Sequence, residues 1–260
     1  MLMHYPRKRF GQHFLTDQNV IDEIQNSINP TNEDVIIEIG PGRGAITSGL
    51  VSKSKFVHAI ELDRDLIGYL KKEFNTNSSI CFHQADALKF DYSKLGDKIR
   101  IVGNFPYNIS TPLLFHLLKY KDCIVDIHCM LQKEVVDRMA AEPGSKAYGR
   151  LGIMLGCHLK IEPLFNVDES AFFPPPKVKS TVVQLLPLRP NKFDIQNESV
   201  FSNLVSKAFM KRRKTIQNSL KEFVDISDLN AINIDPGLRP EQISILKYVE
   251  LSNYLSNRLG

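Results

Sequence analysis

The sequence predicts an α/β fold, in which helices cover both faces of a mostly parallel sheet, followed by a small helical domain. Short apolar runs alternate with amphipathic stretches of helical spacing, and this alternation is typical of strand–helix–strand crossover units. Three consecutive prolines at 174–176 interrupt the pattern and favour a stiff extended loop. After Pro190 the apolar spacing becomes helical, so 189–260 is predicted as a separate helical domain.

The individual elements follow from runs bounded by turn signals. Residues 35–39, 56–62, 80–84, 99–102 and 124–131 read as buried strands, and residues 180–188 read as a late strand of the same sheet. Helices are predicted at 64–74 and 111–120, and in the second domain at 200–210, 212–223 and 241–255. We therefore expect one domain over 1–188 and a second over 189–260.

Composition excludes several classes of protein. Hydrophobic residues make up 43% of the 260 residues and charged residues 24%, as in ordinary globular proteins. No run approaches the roughly 18 apolar residues of a membrane span, and the basic start has no apolar segment typical of a secretory signal. The four cysteines form no CxxC pair, and His and Cys show no zinc-type spacing. We expect a cytoplasmic protein without a metal.

Positive charge is concentrated in two clusters, at Arg7, Lys8 and Arg9 and at Lys211, Arg212, Arg213 and Lys214. The net charge is +4, and residues 189–260 carry 11 Lys or Arg against 8 Asp or Glu, a surplus of three. A single cluster is as often a solvated face, but two of them beside a base pocket favour a nucleic-acid surface.

The segment Val102-Gly103-Asn104-Phe105-Pro106-Tyr107 suits the recognition of an adenine. The exocyclic amine of adenine carries two N–H donors, for which the Asn104 side chain and the Pro106 carbonyl offer two acceptors. Tyr107 offers an aromatic face for stacking. This combination is typical of an enzyme that holds an extruded base for chemistry on its edge.

A glycine-rich turn, Gly40-Pro41-Gly42-Arg43-Gly44, follows the first clear strand, and Glu61 ends the next one. An acidic residue at that place can accept hydrogen bonds from ribose hydroxyls. Asp86 follows the third strand, where it can meet the adenine of a cofactor or simply cap the loop. The turn is not the GxGxxG of a dinucleotide site, which favours the cationic S-adenosylmethionine over NAD.

Several motifs resemble those of rRNA adenine N6-methyltransferases. Asn104-Phe105-Pro106-Tyr107 is similar to the N-L-P-Y motif of that group, with Phe in place of Leu. The segments 9–15, 173–178 with 180–183, and 212–220 resemble further motifs, the last of them typical of the KsgA (RsmA) family of small-subunit rRNA adenine dimethyltransferases. The resemblance runs from about Arg7 to the end of the chain.

The resemblance implies a Rossmann-like class I methyltransferase fold with a seven-stranded sheet and a C-terminal RNA-binding domain. It implies transfer of methyl groups from S-adenosylmethionine to N6 of two adjacent adenosines in the 3′-terminal hairpin of 16S rRNA, on the immature small ribosomal subunit, leaving S-adenosylhomocysteine. The implied cofactor contacts are His13, Leu15, Gly40, Glu61, Asp86 and Asn104, and one of Phe172 and Phe173 is expected to cover the base opposite Tyr107.

Other functions stay open from the sequence. One is the related branch that methylates 23S rRNA and confers macrolide resistance, with the same fold and pocket. Another is a ribosome-assembly factor that binds the subunit and in which catalysis is secondary. An NAD-dependent dehydrogenase is a distant third. A monomer is expected in each case.

Overall fold

The computed structural model describes residues 12–190, 192–211 and 213–259. The chain divides into two compact units. The first consists of Met1–Val136 and Glu162–Pro187, and the second of Asp137–Ile161 and Leu188–Gly260. The second unit thus includes a segment that the sequence analysis placed in the first domain.

Between Gln12 and Pro187, a stretch that the structure describes throughout, nine strands and six α-helices account for most of the regular structure. The strands are β1 Phe14–Leu15, β2 Val35–Ile39, β3 Phe56–Glu61, β4 Ile80–Gln84, β5 Ile99–Asn104, β6 Ile124–Gln132, β7 Leu159–Val167, β8 Phe172–Phe173 and β9 Ser180–Pro187. The helices are α1 Gln18–Ile28, α2 Thr47–Lys53, α3 Arg64–Glu73, α4 Ser110–Leu118, α5 Lys133–Met139 and α6 Arg150–Gly156.

The main sheet has seven strands in the order β4-β3-β2-β5-β6-β9-β7. The first five strands of this order are parallel, and β9 is antiparallel to β6. The predicted mostly parallel, seven-stranded α/β fold is confirmed. Because parallel strands end at the same edge of a sheet, the residues that follow β2, β3, β4 and β5 lie beside one another.

The core beneath that edge is aliphatic. Ile36 of β2, Val57 of β3 and Val102 of β5 pack with Ile21 of α1 and Leu50 of α2, all of them buried. Fully burying side chains of this size contributes about 1.5–3 kcal/mol each to the free energy of folding. This packing joins β2, β3 and β5 to α1 and α2, so the loops at the ends of these strands start from a buried core.

A two-stranded antiparallel sheet formed by β1 and β8 was not predicted. Phe14 pairs with Phe173 and Leu15 with Phe172. The pairing ties the segment before α1 to the start of the proline loop. The prolines at 174–176 themselves lie outside any helix or strand, as expected.

The second unit is helical in its later part. Its helices after Leu188 are α7 Glu198–Met210, α8 Ile216–Leu220, α9 Ile226–Ala231 and α10 Ile245–Leu259. Helix α6 packs against α7, which explains why Asp137–Ile161 belongs to this unit. Helix α8 is shorter than predicted at both ends. It begins at Ile216 because Thr215 caps its start by accepting a hydrogen bond from the Asn218 amide. Among the described residues, the helices lack the length and apolar character needed to cross a bilayer.

Candidate active site

A cavity of about 220 Å³ lies within the first unit, at the carboxyl ends of β2, β3, β4 and β5. Five of the residues named by the sequence analysis for the cofactor line it: His13, Gly40, Glu61, Asp86 and Asn104. Pro106 and Tyr107 line it as well. The structure therefore brings the glycine turn and the Asn104–Tyr107 segment to one cavity.

The glycine turn requires glycine for two reasons. Gly40, Gly42 and Gly44 have φ values of 71°, 58° and 85°, in the left-handed region that L side chains avoid. A Cβ on Gly42 would also lie 3.2 Å from the Phe14 ring. The Gly40 amide donates to the Ile60 carbonyl at 2.9 Å, which joins the turn to the end of β3. The turn thus presents bare backbone to the cavity.

Glu61 lies at the end of β3 with its carboxyl group largely enclosed. Its Oε1 accepts a hydrogen bond from the Asp63 amide at 2.9 Å. Burial raises the pKa of Glu61, and hydrogen bonds from the backbone amides of Asp63, Leu62 and Gly42 oppose that rise. The carboxyl group is therefore held in one orientation, with backbone donors on one side and the cavity on the other.

Asp86 caps its loop and also lines the cavity. Its Oδ1 accepts a hydrogen bond from the Leu88 amide at 2.9 Å, which is the loop-capping role. The residue also lines the cavity. Capping fixes the position of the carboxylate just beyond the end of β4.

Glu38 is a buried carboxyl group in the strand that leads into the glycine turn. Thr47, the first residue of α2, donates its hydroxyl to Glu38 Oε2 at 2.6 Å. Burial raises the pKa of Glu38 to about 7, the Thr47 hydrogen bond opposes the rise, and the nearby charge of Glu61 adds to it. The side chain links β2 to the start of α2 on either side of the turn.

Replacing Glu38 by Gln is expected to flatten the pH dependence of stability. Because burial raises the pKa from 4.5 to about 7, the folded chain binds more protons than the unfolded chain in that window. The free energy of unfolding therefore falls as pH rises from 4.5 to 7, by about 3 kcal/mol. Urea unfolding at about pH 5 and about pH 8 measures this. Equal losses in the Glu38→Gln variant and the parent would contradict the assignment.

Asn104 is the last residue of β5, and its amide is oriented by the segment before β1. Its Nδ2 donates to the His13 carbonyl at 3.2 Å. With Nδ2 engaged there, Oδ1 is the end of the amide that can accept from a ligand. The His13 ring is fixed in turn, since its Nδ1 lies 2.7 Å from the Pro174 carbonyl and must be the donor.

Tyr107 presents its ring within the cavity and is held at its far end. Its hydroxyl lies 2.5 Å from Ser180 Oγ at the start of β9. Its ring stacks with that of His13, at 5.9 Å between centroids and 26° between planes. Burial raises the pKa of Tyr107, so the phenol stays neutral. The Pro106 carbonyl accepts from the Ile109 amide at 3.0 Å, and a carbonyl has a second lone pair for another donor.

Three further residues were predicted to contact ligands: Leu15 for the cofactor, and Phe172 or Phe173 for the base. Leu15 and Phe172 are buried in the core and do not line the cavity. Phe173 is 55% exposed and lies beside Phe14, which does line it. Of the two aromatic candidates, Phe173 is therefore the exposed one. The predicted cofactor contact of Leu15 is not supported by the cavity lining, because β1 turns this side chain into the core.

The basic clusters are described only in part. Arg7, Lys8, Arg9 and Arg212 lie outside the described residues. Lys211, Arg213 and Lys214 are exposed in the second unit. Lys211 Nζ lies 3.9 Å from Glu222 Oε1, an exposed pair of little energetic weight.

Gly103 positions the site without lining it, and the sequence analysis did not single it out. A Cβ there would lie 2.3 Å from the Ile39 carbonyl oxygen. Only glycine lets the end of β5 approach the end of β2, which places Asn104 beside Gly40. A lone glycine in a strand run is a signal of close backbone approach and could have indicated this. Pro174 and Ser180 lie in the segments 173–178 and 180–183 that resemble family motifs. No local pattern indicated that Pro174 contacts His13 or that Ser180 contacts Tyr107.

The charge of the cavity fits a cationic nucleoside. Within the described part of the chain, its lining includes Glu61 and Asp86 but no Lys or Arg. A pyrophosphate would meet two carboxyl groups with no cation to offset them, whereas a sulfonium group is attracted. The carboxyl groups of Glu61 and Asp86 can also accept hydrogen bonds from the hydroxyls of a ribose and the amine of an adenine. The residues thus fit S-adenosylmethionine rather than a dinucleotide.

Comparison with known proteins agrees with this geometry. The family model for ribosomal RNA adenine dimethylase matches residues 3–257. A ribosomal RNA small subunit methyltransferase A of Legionella pneumophila (strain Corby) is 50% identical over 256 residues, covering 98% of this chain and all of the relative. The protein of that name from Pseudomonas aeruginosa is 47% identical over 263 residues, covering 100% of this chain and 98% of the relative.

Solved structures show the same fold. A dimethyladenosine transferase from Plasmodium falciparum has a TM-score of 0.80 at 26% identity, covering 92% of this chain and 96% of that one. The 23S rRNA methyltransferase ErmE has a TM-score of 0.75 at 22% identity, covering 94% and 99%, a likeness of fold. The full-length family match and the close relatives establish that this chain belongs to the ribosomal RNA adenine dimethylase family.

Proposed function

We propose that this protein dimethylates N6 of two adjacent adenosines in the 3′-terminal hairpin of 16S rRNA, using S-adenosylmethionine, on the immature small ribosomal subunit. The observation that carries the proposal is that two carboxyl groups, a glycine turn and the Asn104–Tyr107 segment line one and the same cavity. Family membership supplies the class of reaction. We place the reaction in the cytoplasm and assign it to a monomer.

The cofactor would be held by His13, Gly40, Glu61, Asp86 and Asn104. Glu61 is suited to accept the ribose hydroxyls, because its backbone hydrogen bonds keep it in place. Asp86 is suited to the exocyclic amine of the cofactor's adenine. When bound, S-adenosylmethionine supplies an electrophilic methyl group on a positively charged sulfur. No metal or general base is required of the protein, because the product amine can lose its proton to water.

Asn104 and Pro106 would activate the substrate amine. The amine of adenine is a weak nucleophile because its lone pair is delocalised into the ring. Its two N–H groups would donate hydrogen bonds to Asn104 Oδ1 and to the Pro106 carbonyl. These two hydrogen bonds favour a pyramidal nitrogen and free the lone pair. The hydrogen bond from Asn104 Nδ2 to His13 sets the amide in the required orientation before substrate arrives.

Tyr107 would orient the base. Stacking on an aromatic ring typically contributes about 1–3 kcal/mol per base. Because Ser180 and His13 restrain the ring, little orientational freedom is lost when the base binds. Phe173, exposed beside Phe14, is positioned to cover the opposite face. Much of the rate enhancement then comes from alignment of the nitrogen with the methyl group.

The small-subunit substrate is favoured over 23S rRNA by degree of similarity. Relatives named for the small subunit are 46–50% identical over nearly the whole chain, against 22% for ErmE.

The test of the substrate offers the protein purified small and large subunits from cells lacking the enzyme, with labelled S-adenosylmethionine. We expect label in small-subunit rRNA only, and mass spectrometry of the 3′ hairpin should find two dimethyladenosines. Label in the large subunit would refute the assignment.

The second unit is proposed to bind the RNA backbone through Lys211, Arg212, Arg213 and Lys214, together with Arg7, Lys8 and Arg9 of the first. Lys211, Arg213 and Lys214 are exposed. Cations of these two clusters can contact phosphates, which gives affinity without sequence choice. Selection would then come from RNA shape and from which adenines can be extruded. In this proposal, residues 1–188 carry catalysis, and 189–260 carry RNA binding together with Arg7, Lys8 and Arg9.

Replacing Arg212 and Arg213 together by Ala is expected to weaken RNA binding and reduce its salt dependence. Each lost phosphate contact lowers the slope of log affinity against log salt by about 0.7–0.9, so the double variant should lose about 1.5. A salt titration of RNA binding measures the slope. Exchanging Lys71 and Lys72, which are exposed on α3, by Ala is the matched control. A slope unchanged from the parent would remove the Arg pair from the RNA surface.

A further inference from the structure

A cluster of metal-ligating side chains lies on the face of β3 and β4, apart from the cavity. Strands β3 and β4 are parallel neighbours, with His58 opposite Cys81 and Ile60 opposite His83. Since side chains alternate between the faces of a strand, His58, Cys81 and His83 point to the same face. Their ligand atoms all lie within 4.8 Å of one another.

The two imidazoles already face each other as metal ligands do. His58 Nδ1 lies 3.0 Å from His83 Nε2, with ring planes 38° apart. Burial lowers the pKa of His58, and the neighbouring His83 lowers it further; burial also lowers the pKa of His83. Both rings are therefore neutral near pH 7, the form that binds metals.

The surroundings restrain this cluster while leaving it reachable. The Phe56 ring packs on His58 at 4.8 Å between centroids, and the Phe90 ring packs edge-on against His83 at 5.3 Å. All three ligand residues are half-buried, and β4 is at the edge of the sheet. A hydrogen bond between two histidines alone would not need a thiol as a third neighbour, whereas a metal site would use it.

We propose that His58, Cys81 and His83 form a binding site for Zn²⁺. Two imidazoles and a thiolate are ligands that this borderline-soft ion prefers, and three protein ligands leave a fourth position for water. On binding, the imidazole that donates the hydrogen bond changes tautomer, so both rings stay neutral. The Cys81 thiol releases one proton to solvent as the Zn–S bond forms. The ion would join β3 to β4 below the strand ends that carry Glu61 and precede Asp86.

The test measures Zn²⁺ binding to the full chain by competition with a chromophoric chelator. We expect one tight site, weakened at least tenfold in each of the Cys81→Ser, His58→Gln and His83→Gln variants, since loss even of groups that only orient a ligand costs about 10–100-fold. Cys123→Ser, which changes a half-buried thiol outside the cluster, is the matched control and should bind like the parent. Equal affinity in Cys81→Ser and the parent would overturn the proposal.

A second measurement needs no variant. In the unaltered protein, Zn²⁺ should protect Cys81 from alkylation and leave the reactivity of Cys123 unchanged, as mapped by mass spectrometry of peptides. Zn²⁺ should also raise the thermal unfolding midpoint, since an ion that binds only the folded state stabilises it, and Mg²⁺ should not. Alkylation of Cys81 at the same rate with and without Zn²⁺ would contradict the site, whatever the methylation activity.

Discussion

The Asn104→Ala variant is expected to lose methylation by about 100- to 1000-fold while it still binds RNA. That range is typical when one preoriented hydrogen-bonding group that acts on the reacting atoms is removed. Cofactor affinity should fall by only about 2- to 10-fold, the effect of a single neutral hydrogen bond. Single-turnover methylation, cofactor titration and subunit binding, each measured separately, distinguish the rate from the two affinities.

The control for this variant is Asn19→Ala, which removes an exposed amide on α1 outside the cavity. It should retain the parent's rate. The comparison also addresses the alternative of an assembly factor in which catalysis is secondary. If Asn104→Ala lost subunit binding together with methylation, or lost neither, the assignment of chemistry to Asn104 and of RNA binding to the basic clusters would be wrong.

The Gly103→Ala variant is expected to lose both stability and activity. A Cβ at this position would lie 2.3 Å from the Ile39 carbonyl oxygen and 3.1 Å from the Phe105 ring. Backbone cannot move aside as a flexible side chain can, so we expect a loss of more than about 3 kcal/mol in the free energy of unfolding. Separation of β5 from β2 would also move Asn104 away from Gly40. Denaturant unfolding and single-turnover methylation measure the two effects.

Gly68→Ala is the matched control for that change. Gly68 is exposed within α3, and a Cβ there would meet nothing within 4 Å. Because Ala favours helix more than Gly does, this variant should gain about 0.5–1 kcal/mol. If Gly103→Ala were as stable as the parent, the close approach of β5 to β2 would not be the reason for glycine at this position.

The parallel sheet could be predicted because its central strands β2, β5 and β6 are largely buried and read as mostly apolar runs. The bounds of β2 and β4 agree with the prediction, and β5 extends only two residues further, to Asn104. The edge strand β7 was missed because polar and exposed residues interrupt its apolar run. The pairing of β1 with β8 was missed because Phe14 and Phe173 are far apart in the sequence, and local patterns do not indicate contacts of that kind.

Much of the site could also be predicted, because the order of the parallel strands decides which residues lie together. Gly40, Glu61, Asp86 and Asn104 each follow or end a parallel strand, so their convergence is a consequence of sheet topology. The restraints on them come from elsewhere: Ser180 for Tyr107 and Pro174 for His13. The cluster of His58, Cys81 and His83 escaped a search for zinc spacing because two neighbouring strands bring it together.

We propose that an adenine leaves its helix and binds with its amine at Asn104 and Pro106. A structure of the protein with its RNA substrate and S-adenosylhomocysteine would show the position of that base. We expect N6 about 2.7–3.2 Å from Asn104 Oδ1 and from the Pro106 carbonyl, with the base stacked on Tyr107. An adenine still paired in the RNA hairpin, or an amine facing away from these two acceptors, would contradict the claim.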